Sequence, residues 1–261
     1  RDEQEVELLE LIGSFYKGIA LWDYPVSGGN VIVGNYVGND GTIPVPNGRG
    51  IEIYGSNNRI GGTMIGEGNV LSGNELQGLY IGGLDNLVQG NFIGTDATGT
   101  KALGNSGQGV VIQSAYGNII GGTTASARNI MSGNTISGIS IMNTDATNNL
   151  VQGNYIGTDV TGSVAIANQR GVIIEAYAGN NTIGGTSPGA GNVISGNRST
   201  GVIIQTNASG NIVQGNLIGT NAAGTILLGN NSDCIHIRTS NNLIGGTEPG
   251  AQNVISGSVT G

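Results

Sequence analysis

The sequence predicts an all-β fold: a right-handed, single-stranded parallel β-helix of about eight coils, each with roughly 31 residues and three short strands. Three observations predict it. Blocks of sequence recur with a long period of about 62 residues, each period divides into two unequal halves, and each half contains short runs of alternating β-branched residues without a helical period. A single coil could not bury its inner face. In a stack of coils, each apolar residue packs against the equivalent residue one turn away.

Two sequence blocks alternate along the chain and define the two halves of the period. The block Gly-Asn-x-Ile-Gly-Thr-Asp, or a close variant, occurs at residues 90–96, 153–159 and 215–221, with a worn copy at 34–40. Between its copies lies a block that ends Ile-Gly-Gly-Thr, at residues 58–63, 118–123, 181–186 and 242–247. The two halves therefore differ in which of their bends is lengthened by a loop.

Each coil opens with a short strand whose second and fourth residues are predicted to face inward. The openings fall at residues 18, 50, 78, 109, 138, 171, 201 and 234, and every inward residue is aliphatic. After Ile19 and Leu21 in the first opening, the inward pairs are Ile51 and Ile53, Leu79 and Ile81, Val110 and Ile112, Ile139 and Ile141, Val172 and Ile174, Val202 and Ile204, and Ile235 and Ile237.

An asparagine recurs at one bend of every coil, and its regular position favours a structural role over a ligand role. Asparagine side chains in stacked strands hydrogen-bond the amides above and below them. The residues predicted to form this ladder are Asn86, Asn118, Asn149, Asn181, Asn211 and Asn242.

The composition restricts the class of protein. The 261 residues include 50 Gly and 32 Asn but only 26 charged residues, which argues against a helical globule. The net charge of −8, with scattered Lys and Arg, argues against nucleic acid as a partner. No apolar run is long enough for membrane insertion, so we expect a soluble, processed product. With Cys234 as the single cysteine, packing and hydrogen bonds must hold the fold together.

The blocks Gly-Val-x-Ile, Asn-x-Ile-Gly-Gly-Thr, Asn-Val-Ile-Ser-Gly-Asn and Asn-x-Val-Gln-Gly-Asn-x-Ile-Gly-Thr-Asp resemble bacterial secreted right-handed β-helix repeat proteins. The resemblance covers roughly residues 18–261 and implies a pectate-lyase-like solenoid that is extracellular or on the cell surface. It implies little about activity, because that superfamily mixes polysaccharide lyases and hydrolases with tailspikes, adhesins and surface proteins. Function must therefore be argued from sites.

Residues 1–17 differ from the β-helix of residues 18–261 and allow two interpretations. Acidic residues crowd the beginning, and Val6, Leu9, Ile12 and Tyr16 fall at helical spacing, which predicts a capping helix. Residues 9–12 also lie about as far before Gly18 as the last strand of a coil lies before the next opening. In this second interpretation, the segment is a degenerate strand that completes a coil.

The C-terminal coil carries no evident cap, because no helix, charge cluster or Pro protects its edge. Either the chain is a piece of a longer solenoid, or another subunit occupies this end. The leading hypothesis is a non-enzymatic structural subunit whose copies stack head to tail into a filament. The residues expected at that contact are Val6, Leu9, Ile12, Tyr16, Ile19, Leu21, Val254, Ile255 and Val259.

An enzyme would need paired carboxylates or a nucleophile with its base. Asp96 and Asp159 share one loop position two coils apart, but Thr-Asp-x-x-Gly reads better as an Asx turn. Calcium binding by these loops is a weaker alternative. His236 has no nucleophile or carboxylate placed beside it by the repeat, and Cys234 reads as a substitute for Gly. The sequence therefore predicts no catalytic, cofactor or metal residues.

A polysaccharide-binding or polysaccharide-cleaving β-helix is the alternative function. Tyr54 and Tyr80 lie on the outward face of adjacent coils and form a small aromatic platform. Val111, Ile173 and Ile203 form an outward apolar strip, which either a loop or a neighbouring rod is expected to cover.

Overall fold

The computed structural model describes residues 11–12, 16–22 and 28–257 of the chain. In these ranges the chain forms 25 short strands and one 3-10 turn, Ala125–Ala127, with no α-helix. Consecutive strands belong in turn to three different parallel sheets, so that every third strand pairs. The fold is the predicted parallel β-solenoid with three strands per coil.

The three sheets are named here after their first strands. Sheet 1 contains β1 (Leu11–Ile12), β4 (Tyr36–Val37), β7 (Val70–Leu71), β10 (Phe92–Ile93), β13 (Ile130–Met131), β16 (Tyr155–Ile156), β19 (Val193–Ile194), β22 (Leu217–Ile218) and β25 (Val254–Ile255). Sheet 2 contains β2 (Lys17–Leu21), β5 (Arg49–Ile53), β8 (Leu79–Ile81), β11 (Val110–Gln113), β14 (Ser137–Met142), β17 (Arg170–Glu175), β20 (Val202–Ile204) and β23 (Ile235–Ile237). Sheet 3 contains β3 (Val31–Ile32), β6 (Arg59–Gly61), β9 (Leu87–Gln89), β12 (Ile119–Gly121), β15 (Leu150–Gln152), β18 (Thr182–Gly184), β21 (Ile212–Gln214) and β24 (Leu243–Ile244).

The register of the sheets defines eight stacked coils. Coil 1 consists of β2, β3 and β4, coil 8 consists of β23, β24 and β25, and seven turns separate the two. Val110 lies opposite Leu79 on one side and Ile139 on the other, which is the stacking of equivalent residues that the repeat predicts. At about 4.8 Å per step the described coils form a rod roughly 35 Å long.

The core runs along the axis between the three sheets. The predicted inward residues of β5, β8, β11, β14, β17 and β20 are all fully buried in one continuous cluster. In coil 8 the same rows continue, but Ile235 is only partly buried and Ile237 is exposed. The prediction that these residues face inward is thus confirmed for the inner coils. In coil 8 the equivalent residues keep their positions but are not fully buried.

The two halves of the sequence period are two kinds of coil that alternate along the axis. In odd coils a loop follows the sheet 1 strand, whereas in even coils a loop separates the sheet 3 strand from the sheet 1 strand. Gly157 allows the first kind of loop to leave β16 at a φ of 95°. A Cβ on Gly157 would lie 2.3 Å from the Ser195 carbonyl oxygen of the next coil, so a side chain would push the coils apart.

At the N-terminal end, Leu11–Ile12 is strand β1, parallel to β4 with Leu11 opposite Tyr36. For these two residues the structure has the strand and not the helix of the alternative interpretation. Val6 and Leu9 lie outside the described residues, as does Val259 near the C-terminus. Among the described residues there is no helix long and apolar enough to cross a membrane.

Candidate functional site

Three asparagine ladders run along the rod, one at each bend of the coil. Within each ladder the side-chain amide of one Asn donates to the side-chain oxygen of the Asn in the next coil. The first ladder, before sheet 3, contains Asn30, Asn58, Asn86, Asn118, Asn149, Asn181, Asn211 and Asn242. The second, before sheet 1, contains Asn35, Asn69, Asn91, Asn129, Asn154, Asn192, Asn216 and Asn253. The third, before sheet 2, contains Asn47, Asn74, Asn105, Asn134, Asn168, Asn197 and Asn230.

Asn149 shows how a ladder amide in an inner coil uses its full hydrogen-bonding capacity. The Oδ1 atom of Asn149 accepts from the main-chain and side-chain nitrogens of Asn118, both at 3.0 Å. Its Nδ2 atom donates to Asn181 Oδ1 and to the carbonyl of Ala115, both at 2.9 Å. A buried primary amide has two donors and one oxygen with two lone pairs, so nothing is left unpaired. The Asn149 side chain is structural and leaves no group free for a ligand.

The structure confirms the six predicted ladder residues and adds two ladders that sequence reasoning missed. Their signal was present in the repeat. Asn91, Asn154 and Asn216 follow Gly in every copy of the first block, and Asn134 and Asn197 end the run Ser-Gly-Asn. Sequence reasoning assigned neither run to a ladder. In the second ladder the separation alternates between short and long, for example 22 residues from Asn69 to Asn91 and 38 from Asn91 to Asn129, so its regularity is less evident than that of the first ladder.

The carboxylates of the Thr-Asp loops cap their own turns. Asp159 Oδ1 accepts from the main-chain nitrogens of Ser163 and Val164, both at 3.0 Å, and the carboxylate also binds the Thr161 hydroxyl. Burial raises the pKa of Asp159, but the hydrogen bonds from Val164, Ser163 and Thr161 outweigh it and lower the pKa below its usual value. The predicted Asx-type turn is therefore present.

The other Thr-Asp loops repeat this geometry and stack on one another. Asp96 Oδ1 accepts from the nitrogens of Thr100 and Lys101, and Asn221 Oδ1 accepts from those of Thr225 and Ile226. Loops two coils apart are joined by main-chain bonds, for example Val160 N to Gly99 O at 2.9 Å. Among the described residues no three His, Cys, Asp or Glu side chains lie close enough together to hold a metal.

His236 has a carboxylate partner, which corrects the expectation that none lies beside it. Its Nδ1 atom is 2.5 Å from Asp233 Oδ2, and its Nε2 atom accepts from Arg238 Nε at 2.8 Å. The repeat could not reveal this contact because it joins residues within one coil. Cys234 faces the core instead: its thiol donates to the Ser256 carbonyl at 3.3 Å, and burial raises its pKa.

An aromatic row crosses the outer face of sheet 2 in coils 1 to 3. The Trp22 and Tyr54 rings are stacked with centroids 4.7 Å apart, and the Tyr80 ring lies 5.7 Å from Tyr54. Trp22 remains 55% exposed, whereas Tyr80 is buried. Burial, followed by the neighbouring Tyr54, raises the pKa of Tyr80 to about 12. The predicted pair of tyrosines is thus part of a three-ring row that includes Trp22.

Charged side chains surround this aromatic row. Glu52 is 1% exposed and makes ion pairs with Lys17 and Arg49. The Lys17 ammonium lies 4.2 Å from the centroid of the Trp22 ring, so one cation meets both a carboxylate and an aromatic face. A buried carboxylate is retained at such a place because it is paired. The sequence did not indicate this cluster, since its members come from two coils and from both ends of their strands.

Further along sheet 2 the outward apolar strip is covered within the chain itself. Val111, Ile173 and Ile203 are buried, although they face away from the core. In the adjoining outward row, Gln205 Nε2 donates to Glu175 Oε2 at 2.7 Å. The strip therefore needs no neighbouring rod to remove it from water.

The residues predicted for assembly lie at opposite ends of the rod. Ile12 is in β1, while Ile19 and Leu21 are in β2 and pack against the end of the core. Tyr16 is exposed. At the other end, Val254 and Ile255 form β25 and are 44% and 49% exposed.

No protein-family model, curated protein or solved structure matches the chain. The structure therefore supports the family resemblance of the repeat blocks only as far as the parallel β-solenoid fold.

Proposed function

We propose that the protein is an extracellular structural β-solenoid that is extended end to end by further coils, with copies of the same chain as partners. One observation carries the proposal. Ile237 and Ile255 in coil 8 are 40% and 49% exposed, whereas Ile204 and Ile218, their counterparts in coil 7, are fully buried. One more coil would give the last coil the same cover, with about 1 kcal/mol from each newly buried side chain.

The alternation of coil types supports the same proposal. Coil 8 is of the even kind, so the next coil in the pattern carries a Thr-Asp loop. Coil 1 is of that odd kind, with its loop at Asp40. A second copy whose coil 1 lies on coil 8 of the first copy continues the alternation of odd and even coils. Further repeats in a longer chain would make the same contact and give a longer surface solenoid.

The extracellular location and the bacterial, pectate-lyase-like kinship belong to the proposal as well. They rest on the resemblance of the repeat blocks to secreted β-helix repeat proteins. The acidic net charge of −8 also fits a partner other than nucleic acid.

The proposal is tested by measuring mass in solution with light scattering and by electron microscopy over a range of concentrations. We expect a series of linear oligomers whose axial repeat is about eight strand spacings, roughly 40 Å. Val254→Pro/Ile255→Pro should abolish the series, because Pro at position 255 removes a main-chain donor from the open edge and Pro at position 254 breaks the bond from the Val254 nitrogen to the Asn216 carbonyl that holds this strand in place.

Ala125→Pro is the matched control for these proline substitutions. Ala125 stands where the equivalent loops carry Pro188 and Pro249, so that the variant adds a proline without touching the end coil. It should assemble as the unmodified chain does. A chain that stays monomeric at every concentration, or a Val254→Pro/Ile255→Pro variant that still assembles, would contradict the proposal.

Polysaccharide binding or cleavage is the second candidate, and the aromatic row favours it. Exposed Trp and Tyr faces stack on sugar rings, and Trp22 lies at the exposed end of the row. Affinity electrophoresis in gels with neutral and acidic polysaccharides, together with a reducing-end assay, tests it. Trp22→Ala should abolish retardation in the gel, while Tyr177→Ala, on a distant exposed ring, should not. Equal retardation of both variants would remove this candidate.

A further inference from the structure

Among the described residues, strand β1 adds a ninth strand to sheet 1 at the N-terminal end, where the other two sheets have none. Leu11–Ile12 pairs with Tyr36–Val37 of coil 1, with Ile12 opposite Val37. Sheets 2 and 3 begin at β2 and β3, which belong to coil 1 itself. β1 therefore covers one of the three strand edges of coil 1, and no other strand in the described part of the chain covers the remaining two.

The position of β1 is the position that the last strand of a preceding coil would take. In the stacking proposed above, β23, β24 and β25 of one copy lie against β2, β3 and β4 of the next. The edge of β4 is already paired with β1. The sequences agree with this equivalence, because Ile12 and Ile255 each end an apolar pair six residues before a Gly, Gly18 and Gly261.

We propose that β1 and the β25 strand of a second copy compete for the same edge of sheet 1, so that end-to-end docking displaces β1. This inference rests on the proposed assembly and specifies its interface. The docking surface is formed by β2, β3 and β4 of coil 1, and its partner is coil 8 of a second copy. β1 is then a built-in competitor that limits association until a copy takes its place.

Side chains on the outer face of sheet 2 match across this junction. In the register of sheet 2, Asp233 takes in coil 8 the position that Lys17 and Arg49 take in coils 1 and 2. In the same way, Arg238 takes the position of Trp22. Docking in register therefore brings Asp233 beside Lys17 and Arg238 beside Trp22 of the next copy. The first pair has opposite charges, and the second is a cation over an aromatic ring. A stack in which β1 kept its place would separate both pairs by one further coil.

Intermolecular disulfides distinguish the two arrangements. In a Cys234→Ala background, Val254→Cys is combined with Tyr36→Cys or, separately, with Leu11→Cys. Adjacent strands hold equivalent Cα atoms within the range that a disulfide spans. Displacement of β1 predicts cross-linked multimers from the Tyr36→Cys/Val254→Cys chain and none from the Leu11→Cys/Val254→Cys chain.

The reverse result overturns this inference and leaves end-to-end assembly standing, because β25 would then lie on β1. Failure of both chains to cross-link, with both folded by circular dichroism, overturns the inference together with the proposed assembly.

A second measurement uses the full chain with Leu11→Pro/Ile12→Pro, which weakens the pairing of β1 with β4. If β1 occupies the edge nine-tenths of the time, freeing the edge lowers the concentration for half-assembly about tenfold. The control Ile12→Val keeps the strand and should leave that concentration unchanged. An unchanged or higher concentration for the proline variant would mean that β1 does not compete.

Discussion

At the scale of the residue, asparagine holds neighbouring coils in register. An inner ladder side chain such as Asn118 bonds Asn149 of the next coil and also a carbonyl of the preceding coil, Gly83 O at 3.1 Å. Aliphatic side chains fill the axis but can slide, whereas an amide ladder fixes both rotation and height of a coil. The three ladders thus complement the apolar core, which is not directional.

Asn149→Ala should strongly destabilise the fold. It leaves the two Asn118 donors and the Ala115 carbonyl without their partner in a buried place. At about 1 kcal/mol or more for each orphaned group, we expect a loss of about 3 kcal/mol in the free energy of unfolding. Chemical denaturation measures it. Gln252→Ala, at an exposed position outside the ladders, is the control, and equal losses would refute a special role for the ladder.

Asp159 offers a test of the turn caps with a defined pH dependence. Asn221 performs the same task with an amide, so Asp159→Asn should be nearly neutral at pH 7, whereas Asp159→Ala should cost about 1–2 kcal/mol. The folded-state pKa of Asp159 is lowered, so its contribution is present above the unfolded pKa and lost as pH falls through the folded value.

The melting temperature of the unmodified chain should therefore fall more steeply below about pH 4 than that of Asp159→Asn. Identical acid profiles of the two proteins would show that this carboxylate contributes nothing through its charge.

Many of the residue contacts could be predicted from the sequence, with identifiable limits. One ladder and the Asx turn were predicted because each repeats at a fixed position. The Asp233–His236–Arg238 contacts and the pairing of Glu52 were not, because they depend on side chains that depart from the repeat. The repeat pattern cannot predict the contacts of residues that depart from it.

At the scale of the element, the Thr-Asp loops build a second apolar cluster outside sheet 1. Tyr155, Ile130 and Val193 face outward from their strands and are nevertheless buried. A Cβ on Gly162 would lie 2.8 Å from the Tyr155 ring, which shows how closely the loop folds back over it. Only a glycine at this position, with a φ of 68°, permits that approach.

Tyr155→Ala should separate the loop from the sheet. The ring also carries the Arg128 guanidinium at 3.9 Å from its centroid, so the substitution removes an apolar contact and a cation–π contact together. We expect a loss of about 2–4 kcal/mol in the free energy of unfolding and faster proteolysis within residues 159–167. Tyr116→Ala, on an exposed ring, is the control, and a comparable loss there would argue against the cluster.

The strands themselves were predictable because their alternation is strict, but β1 was left between two interpretations. Val6, Leu9, Ile12 and Tyr16 fit a helix as well as residues 9–12 fit a strand. The edge of β4 favours the strand at Leu11–Ile12, since a strand there pairs the main-chain donors and acceptors of that edge. That edge is a property of the stacked coils and cannot be read from residues 1–17 alone.

At the scale of the whole molecule, stability should vary along the axis. Each coil contacts only its neighbours, so a coil with two neighbours is held on both faces and the last coil on one. The burial follows this rule, because residues of sheet 2 such as Ile141 are fully buried in the middle while Ile237 is exposed in coil 8. Local opening should therefore begin at the end coils.

Hydrogen exchange along the rod gives the last prediction. Before assembly, amides of β23, β24 and β25 should exchange faster than those of β14, and docking should slow them about tenfold for each 1.4 kcal/mol that it adds to local stability. The amides of β2 and β3 should be slowed with them, since they form the opposite side of the junction. β14 in the centre is the internal control and should not change. Slowing that spreads evenly over all coils, or slowing confined to the outer face of sheet 2, would point to lateral contacts and against end-to-end stacking.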